Sequence, residues 1–264
     1  SGSSYKIAAM PLISNVNSKY QMKTTPLKQE IMKKIFLIFA IASAAISCSD
    51  DDNNKTPEPP AMLLTHFTTT SETNGFNLNY MLTYDEQQRL QQFIKTGDVS
   101  ATLIYHYNDA NMVSRIDVVE INNEYQIVFA YDSQNHLTSF TKQGVTTAVV
   151  YDTASRTYTI GGIELQLNEA GDILSTNVLK FTYAGLGTFA SVNGPNIKLI
   201  NNLVDGMFIF VGSRNAIESI KDYEGNDVYE ITNTLNESGY PSKVVIDSQI
   251  DDIMITAELE YEPI

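Results

Sequence analysis

Tryptophan is absent from the 264 residues, and cysteine occurs once, at Cys48. A lone cysteine excludes an internal disulfide and any metal site built from several thiolates. Without tryptophan, a sugar-stacking platform would have to come from the 15 tyrosines. Basic residues are also scarce, 17 Lys and Arg against 31 Asp and Glu, for a net charge of −14. Such a surface repels nucleic acid, and no basic patch or RNA-binding motif offsets it. His66, His106 and His136 are scattered, with no HExxH or other paired metal-ligand spacing. Asp247, Asp251 and Asp252 lack the spacing and the glycine of an EF-hand loop. The nucleophile elbow Gly-x-Ser-x-Gly and the phosphate-binding glycine loop are missing too. No cofactor, metal or catalytic residue is therefore expected. A glycosidase remains open on composition alone, because it needs only two carboxylates brought together by the fold.

What is present is concentrated first in Met32 to Asp52, MKKIFLIFAIASAAISCSDDD. Lys33 and Lys34 precede the apolar run Ile35 to Ile46, twelve residues broken only by Ser43. That is too short to cross a bilayer as a helix and fits the apolar part of a signal peptide. Ala45-Ile46-Ser47-Cys48 resembles a lipobox, which implies cleavage before Cys48 and a lipid on its thiol. Ser49-Asp50-Asp51-Asp52 resembles the acidic export signal of Bacteroidota surface lipoproteins, which implies display on the outer face of the outer membrane. Residues 1–31 begin with Ser1 and contain Met10 and Met22, so the natural start is expected at Met32 and the upstream piece outside the mature protein. Six of the 17 basic and one of the 31 acidic residues precede Cys48, leaving 30 acidic against 11 basic, net −19.

The expected organisation is an upstream extension over 1–31, a signal peptide over 32–47, an acylated flexible tether over 48–62 and a single β-rich domain over 63–264. The tether, CSDDDNNKTPEPPAM, is acidic and Pro-rich. The remainder is long enough for one sizeable core. It carries a degenerate repeat: Tyr84 to Leu90 (YDEQQRL), Tyr107 to Val113 (YNDANMV) and Tyr131 to Leu137 (YDSQNHL) align without gaps. Phe93, Ile116 and Phe140 follow three positions after each unit. Leu167 to Gly171 and Leu235 to Gly239 repeat the head of the pattern, whereas Tyr151-Asp152 keeps only its first two residues. Units spaced this closely suit a two-strand hairpin repeat.

The repeat has the chemistry of a turn. Asp or Asn after the aromatic can hydrogen-bond the backbone two residues on, and Asn or Gly four positions after the aromatic tolerates the left-handed conformation of a bulged loop. Gln88 departs from this. Flanking segments such as Thr102 to Tyr107, Tyr125 to Tyr131 and Ala148 to Tyr151 read as strands, and Gly161-Gly162, Gly185 to Gly187, Asn193-Gly194-Pro195, Asp205-Gly206 and Glu224-Gly225-Asn226 read as further turns. Asp85 to Lys95 also fits a short helix by apolar spacing; the repeat favours strand. Leu90 and Phe93 are three apart and would face opposite sides of a regular strand, so a bulge or burial on both faces is required.

The Tyr-Asp-x-x-Gly/Asn-x-Leu unit resembles the YD repeat of Rhs-type proteins. With Asn236 to Pro241, Leu259 to Glu262 and the lipoprotein-like leader, the chain is similar to Bacteroidota lipoproteins described as having a porin-like fold. The resemblance implies an all-β, antiparallel meander of hairpins forming a curled sheet or partly open barrel, and no catalytic residues. The expected function is a surface-exposed outer-membrane lipoprotein, a non-enzymatic binding or scaffolding module for a glycan, a host protein or an envelope complex. The membrane would be engaged through the lipid anchor. The alternatives are a polysaccharide-acting enzyme and a membrane β-barrel, the latter needing strands of about nine to eleven residues with an apolar outer band.

Overall fold

The computed structural model describes residues 60–73 and 75–264. The expected signal peptide, Cys48, Ser49, Asp50, Asp51 and Asp52 lie outside the described residues. The strands run β1 (Met62–Ser71), β2 (Phe76–Tyr84), β3 (Leu90–Gly97), β4 (Ala101–Tyr107), β5 (Val113–Glu120), β6 (Asn123–Tyr131), β7 (Leu137–Lys142) and β8 (Val145–Asp152). They continue with β9 (Thr157–Ile160), β10 (Ile163–Leu167), β11 (Ile173–Thr176) and β12 (Lys180–Leu186). Two helices follow, α1 (Ile197–Val204) and α2 (Phe208–Val211), and then β13 (Asn215–Lys221), β14 (Asp227–Leu235), β15 (Pro241–Ser248) and β16 (Met254–Pro263).

Each strand pairs antiparallel with its neighbours in sequence, and β16 returns to pair with β1 from Met62↔Pro263 to Thr70↔Thr256. The sheet is thus a closed barrel of 16 strands, which corrects the expectation of a curled or partly open sheet. Closure depends on pairing residues almost a whole domain apart in sequence, which no local pattern encodes; it also removes the two open edges that a meander would otherwise expose. The all-β, antiparallel meander of hairpins is otherwise as expected, with two short helices added to it. They belong to the segment 187–214 between β12 and β13, where the turn signals Asn193-Gly194-Pro195 and Asp205-Gly206 each precede a helix rather than a strand.

Alternation gives the strands an apolar inner face and a mostly polar outer one, with Met81, Val128 and Val150 as apolar exceptions outside. Phe67, Tyr80, Leu82, Phe93, Leu103, Tyr105, Ile116, Ile127 and Phe129 point inward and are buried. Asn77, Asn79 and Thr83 of β2, Glu124 and Gln126 of β6, and Glu258, Glu260 and Glu262 of β16 point outward and are exposed. The interior is filled by the segment 187–214. Phe208 packs on Phe93 and Phe189, with ring centroids 4.8 and 5.8 Å away, and Phe210 meets Tyr229 edge-on at 5.3 Å. Ile197, Leu199, Ile200 and Val211 complete an apolar plug. Fully burying one such side chain contributes about 1.5–3 kcal/mol, so the short helices are held by packing, since they are too short to be stable alone.

Segment Asp85 to Lys95 contains a turn and then β3, as the repeat implied, rather than a helix. The problem of Leu90 and Phe93 is solved by a bulge: Tyr84 pairs with Leu90 while Thr83 pairs with Gln92. The extra residue brings Leu90 and Phe93 onto the same inner face, and both are completely buried. The same offset recurs at His106/Tyr107 and Ala130/Tyr131.

Candidate functional site

The repeat heads form one turn built six times. The main-chain N–H of Gln87 and of Arg89 both donate to the Asp85 carboxylate, at 2.9 and 3.0 Å. Asn108, Asp132, Asp222 and Asn236 each accept the equivalent pair of bonds, and Asn168 accepts from the N–H of Asp172. The fourth residue after the aromatic or its counterpart is left-handed throughout: Gln88 (φ 62°), Asn111 (61°), Asn135 (66°), Gly171 (82°), Gly225 (92°) and Gly239 (81°). Gln88 adopts this conformation although glutamine is not a usual residue for it, because Asp85 and Arg89 fix both sides of the turn. Arg89 pairs with Asp85 at 2.7 Å, covers the Tyr107 ring at 4.4 Å and reaches Asn111 Oδ1 at 2.7 Å, tying two consecutive turns together. Hydrogen bonds from the Arg89 side chain and from the Arg89 and Gln87 main chain outweigh desolvation and hold the Asp85 carboxyl below its ordinary pKa.

The tyrosine of the motif has its own role. Tyr84, at the end of β2, donates its hydroxyl to the carbonyl of Leu64 in the preceding strand, at 2.7 Å. Tyr107 does the same to Leu90 (2.7 Å), Tyr131 to Val113 (2.6 Å), Tyr183 to Ile173 (2.6 Å) and Tyr261 to Pro241 (2.8 Å). These five bonds form a ladder around one end of the barrel. This geometry commits Tyr107, Tyr131 and Tyr183 to the barrel wall rather than to an exposed stacking platform.

The fourth copy breaks the ladder. Tyr84, Tyr107 and Tyr131 pair with the residue six positions on, but Tyr151 pairs with Tyr158, seven positions on, without a bulge. The left-handed residue is now Arg156, at φ 54°. Tyr158 is turned inward, beside the Leu137 main chain and the Asn196 side chain; burial, followed by the nearby Tyr151, pushes its phenol up to about 12. Tyr151 stacks on His136, at 4.1 Å, and meets the tilted ring of Tyr158, at 4.4 Å. Its hydroxyl makes no hydrogen bond to any of the described residues.

This irregular corner opens a cleft of about 520 Å³ at the repeat-turn end of the barrel. Its walls are the tips of the β4–β5, β6–β7, β8–β9 and β10–β11 hairpins, with Pro195 and Asn196 of the plug segment closing one side. Asn196 has φ 60° and makes no side-chain cap for α1. Its side chain lines the cleft beside Tyr158 instead, a local rule broken where the cleft is built. Arg156 is paired with Glu169 across the rim at 2.9 Å.

Deeper in the barrel, a polar set anchors the plug to the wall. Asp172 is fully buried and accepts the main-chain N–H of Arg214 and Asn215, at 2.8 and 3.1 Å, and Asn215 Nδ2 at 2.8 Å. Lys198 of α1 lies 3.7 Å from Asp172, and its ammonium makes no hydrogen bond to a described residue. Burial, only partly offset by Asp172, lowers its pKa to about 8. Lys95 pairs with Asp205 at 2.9 Å, and the Tyr105 hydroxyl donates to Asn201 Oδ1 at 2.9 Å.

The three histidines stay apart, each beside its own carboxylate: His66 with Glu260, His106 with Asp117, and His136 with Asp132. Asp251 and Asp252 sit exposed in the turn after β15, beyond Asp247 at its end. Among the described residues no group of three or more His, Cys, Asp or Glu is arranged to hold a metal ion. Sequence reasoning missed the cleft. Its signal was the truncated fourth repeat, Tyr151-Asp152.

The family model "Teneurin YD-shell" matches residues 65–201. The chain belongs to that family, and the repeat-turn ladder is the form its YD motif takes here. Comparison with curated proteins gives no match. Among solved structures, the chain is similar to a porin-like protein from Bacteroides uniformis, with 11% identity and a TM-score of 0.40, covering 75% of this chain and 98% of that one. A porin-like protein from Bacteroides vulgatus matches at 10% identity and a TM-score of 0.37, covering 77% of this chain and 100% of that one.

Proposed function

We propose that this chain is a surface-exposed outer-membrane lipoprotein whose barrel is a non-enzymatic binding or scaffolding module, held to the membrane through Cys48 and presented by Ser49, Asp50, Asp51 and Asp52. Its partner is a glycan, a host protein or an envelope complex, and not nucleic acid. The observation that carries this reading is the barrel's polarity: apolar inside and filled by its own chain, polar and acidic outside. A transmembrane barrel has the reverse arrangement, with an apolar outer band and a polar lumen. Glu124, Glu258, Glu260 and Glu262 on the outer face argue against immersion in lipid, as does an interior occupied by Phe93, Leu199 and Phe208. A solid barrel on a lipidated tether is suited to presenting a surface. Turnover is disfavoured by the cleft's composition, because Glu169 is the one carboxylate among its lining residues and it is paired with Arg156; hydrolysis of a glycoside generally uses two.

The test is membrane partition of the full chain. Cys48→Ala should leave the protein unacylated and extractable without detergent, while replacing Asp50, Asp51 and Asp52 with alanine should keep acylation but reduce protease shaving on intact cells. Equal detergent partition of Cys48→Ala and parent overturns the anchored reading.

A further inference from the structure

The fourth repeat differs from the others by one additional residue between its paired ends, and the consequence is chemical. At five even-numbered strands a tyrosine uses its hydroxyl on a main-chain carbonyl of the preceding strand. At β8 the Tyr151 phenol is instead left without a bond to any described residue, while its ring is held by stacking on His136 and by the tilted ring of Tyr158. A fixed, half-buried ring with an available hydroxyl is a recognition element, because the ring's ordering entropy is already lost before a ligand arrives.

The surroundings define the ligand's chemistry. Amide side chains of Gln134, Asn135, Asn168 and Asn196 line the cleft. Each can donate and accept, which suits hydroxyl groups that themselves do both. Met112, Leu167 and Pro195 supply apolar surface beside them. An anion is disfavoured, since Arg156 is already paired with Glu169 and the chain is strongly acidic. A purely apolar ligand would strand the amides without partners, at a desolvation cost. What fits is a neutral ring with an apolar C–H face and a rim of hydroxyls.

We propose that the cleft lined by Gln134, Asn135, His136, Tyr151, Tyr158 and Asn196 is a carbohydrate-binding site for a neutral oligosaccharide, with the Tyr151 phenol as its central hydrogen-bonding group. This rests on the reading of the protein as a binding module and names the ligand of its cleft.

The test is calorimetric titration of the full chain with maltohexaose, cellohexaose, xylohexaose and mannohexaose. At least one should bind, and Tyr151→Phe should weaken it about fivefold or more, as expected for loss of one neutral hydrogen bond. Its unfolding midpoint should not change. Binding that is indifferent to Tyr151→Phe and to Asn196→Ala places the sugar elsewhere and overturns the proposal. No binding of any of the four up to about 10 mM also overturns it. In that case, retention of a detergent-solubilised envelope protein by the same full chain leaves the binding-module reading standing, and failure of that retention removes both.

Discussion

The regular repeats between β2 and β7 and the irregular corner around β8–β9 use the same residue types for different ends. In the regular region, each Asp or Asn satisfies two main-chain donors, each left-handed residue closes the turn, and each tyrosine caps a carbonyl exposed by the bulge. In each of these copies the Asx side chain and the tyrosine hydroxyl are consumed by structure. In the irregular corner, one extra residue shifts the pairing, Tyr158 takes over contact with the Leu137 main chain, and Tyr151 is released into a cleft. A repeat protein can therefore acquire a site by interrupting its own pattern at a single position.

The largest expected effect concerns what both regions rest on. Phe208→Ala removes a fully buried ring from the plug between Phe93 and Phe189 and should destabilise by about 3–5 kcal/mol, measured by denaturant unfolding. A loss below about 1 kcal/mol would show that the wall stands without its plug.

Alkaline unfolding sharpens the comparison next. Burial raises the phenol pKa of Tyr84, Tyr105, Tyr107, Tyr131, Tyr183 and Tyr261 well above their ordinary value, and that of Tyr158 to about 12. A phenol that ionises later in the folded chain than in the unfolded one gives stability that is complete below pH 10 and lost as the pH rises beyond it. Lys198 acts in the other direction: between about 8 and its ordinary 10.5 the folded chain binds fewer protons there, so stability rises with pH. Stability should therefore increase slightly from pH 8 to 10 and then fall steeply, with tyrosinate absorbance appearing together with unfolding. Ionisation of these seven buried phenols at pH 11 without unfolding contradicts the ladder.

Turn substitutions come third. Asn111→Val and Gly171→Val each place a β-branched residue at a left-handed position and should cost about 1–2 kcal/mol. A neutral result at both sites would mean that the turns do not need the left-handed residue.

These turns, the strands and the left-handed positions at Asn111, Asn135, Gly171 and Gly239 were legible in the sequence because their causes are local: an Asx side chain, a permissive φ and alternating polarity. The bulge was legible as a contradiction, since Leu90 and Phe93 were both apolar at an awkward spacing. Three features were not legible. Closure by β1 and β16 is a long-range pairing. Helices α1 and α2 are short, rich in residues that also suit strands, and stabilised by the barrel around them. The cleft depends on which tyrosine reaches Leu137, which is decided by register and not by residue identity at Tyr151.

The smallest effect is also the sharpest, because it sets two tyrosines from equivalent repeat positions against each other. Tyr107→Phe and Tyr151→Phe each remove one oxygen atom, and their unfolding free energies can be measured under identical conditions. The account predicts that Tyr107→Phe loses about 1 kcal/mol, the worth of a buried neutral hydrogen bond, while Tyr151→Phe is unchanged. Equal losses at the two positions would contradict it, because the Tyr151 hydroxyl would then be part of the same structural ladder and not available to a ligand.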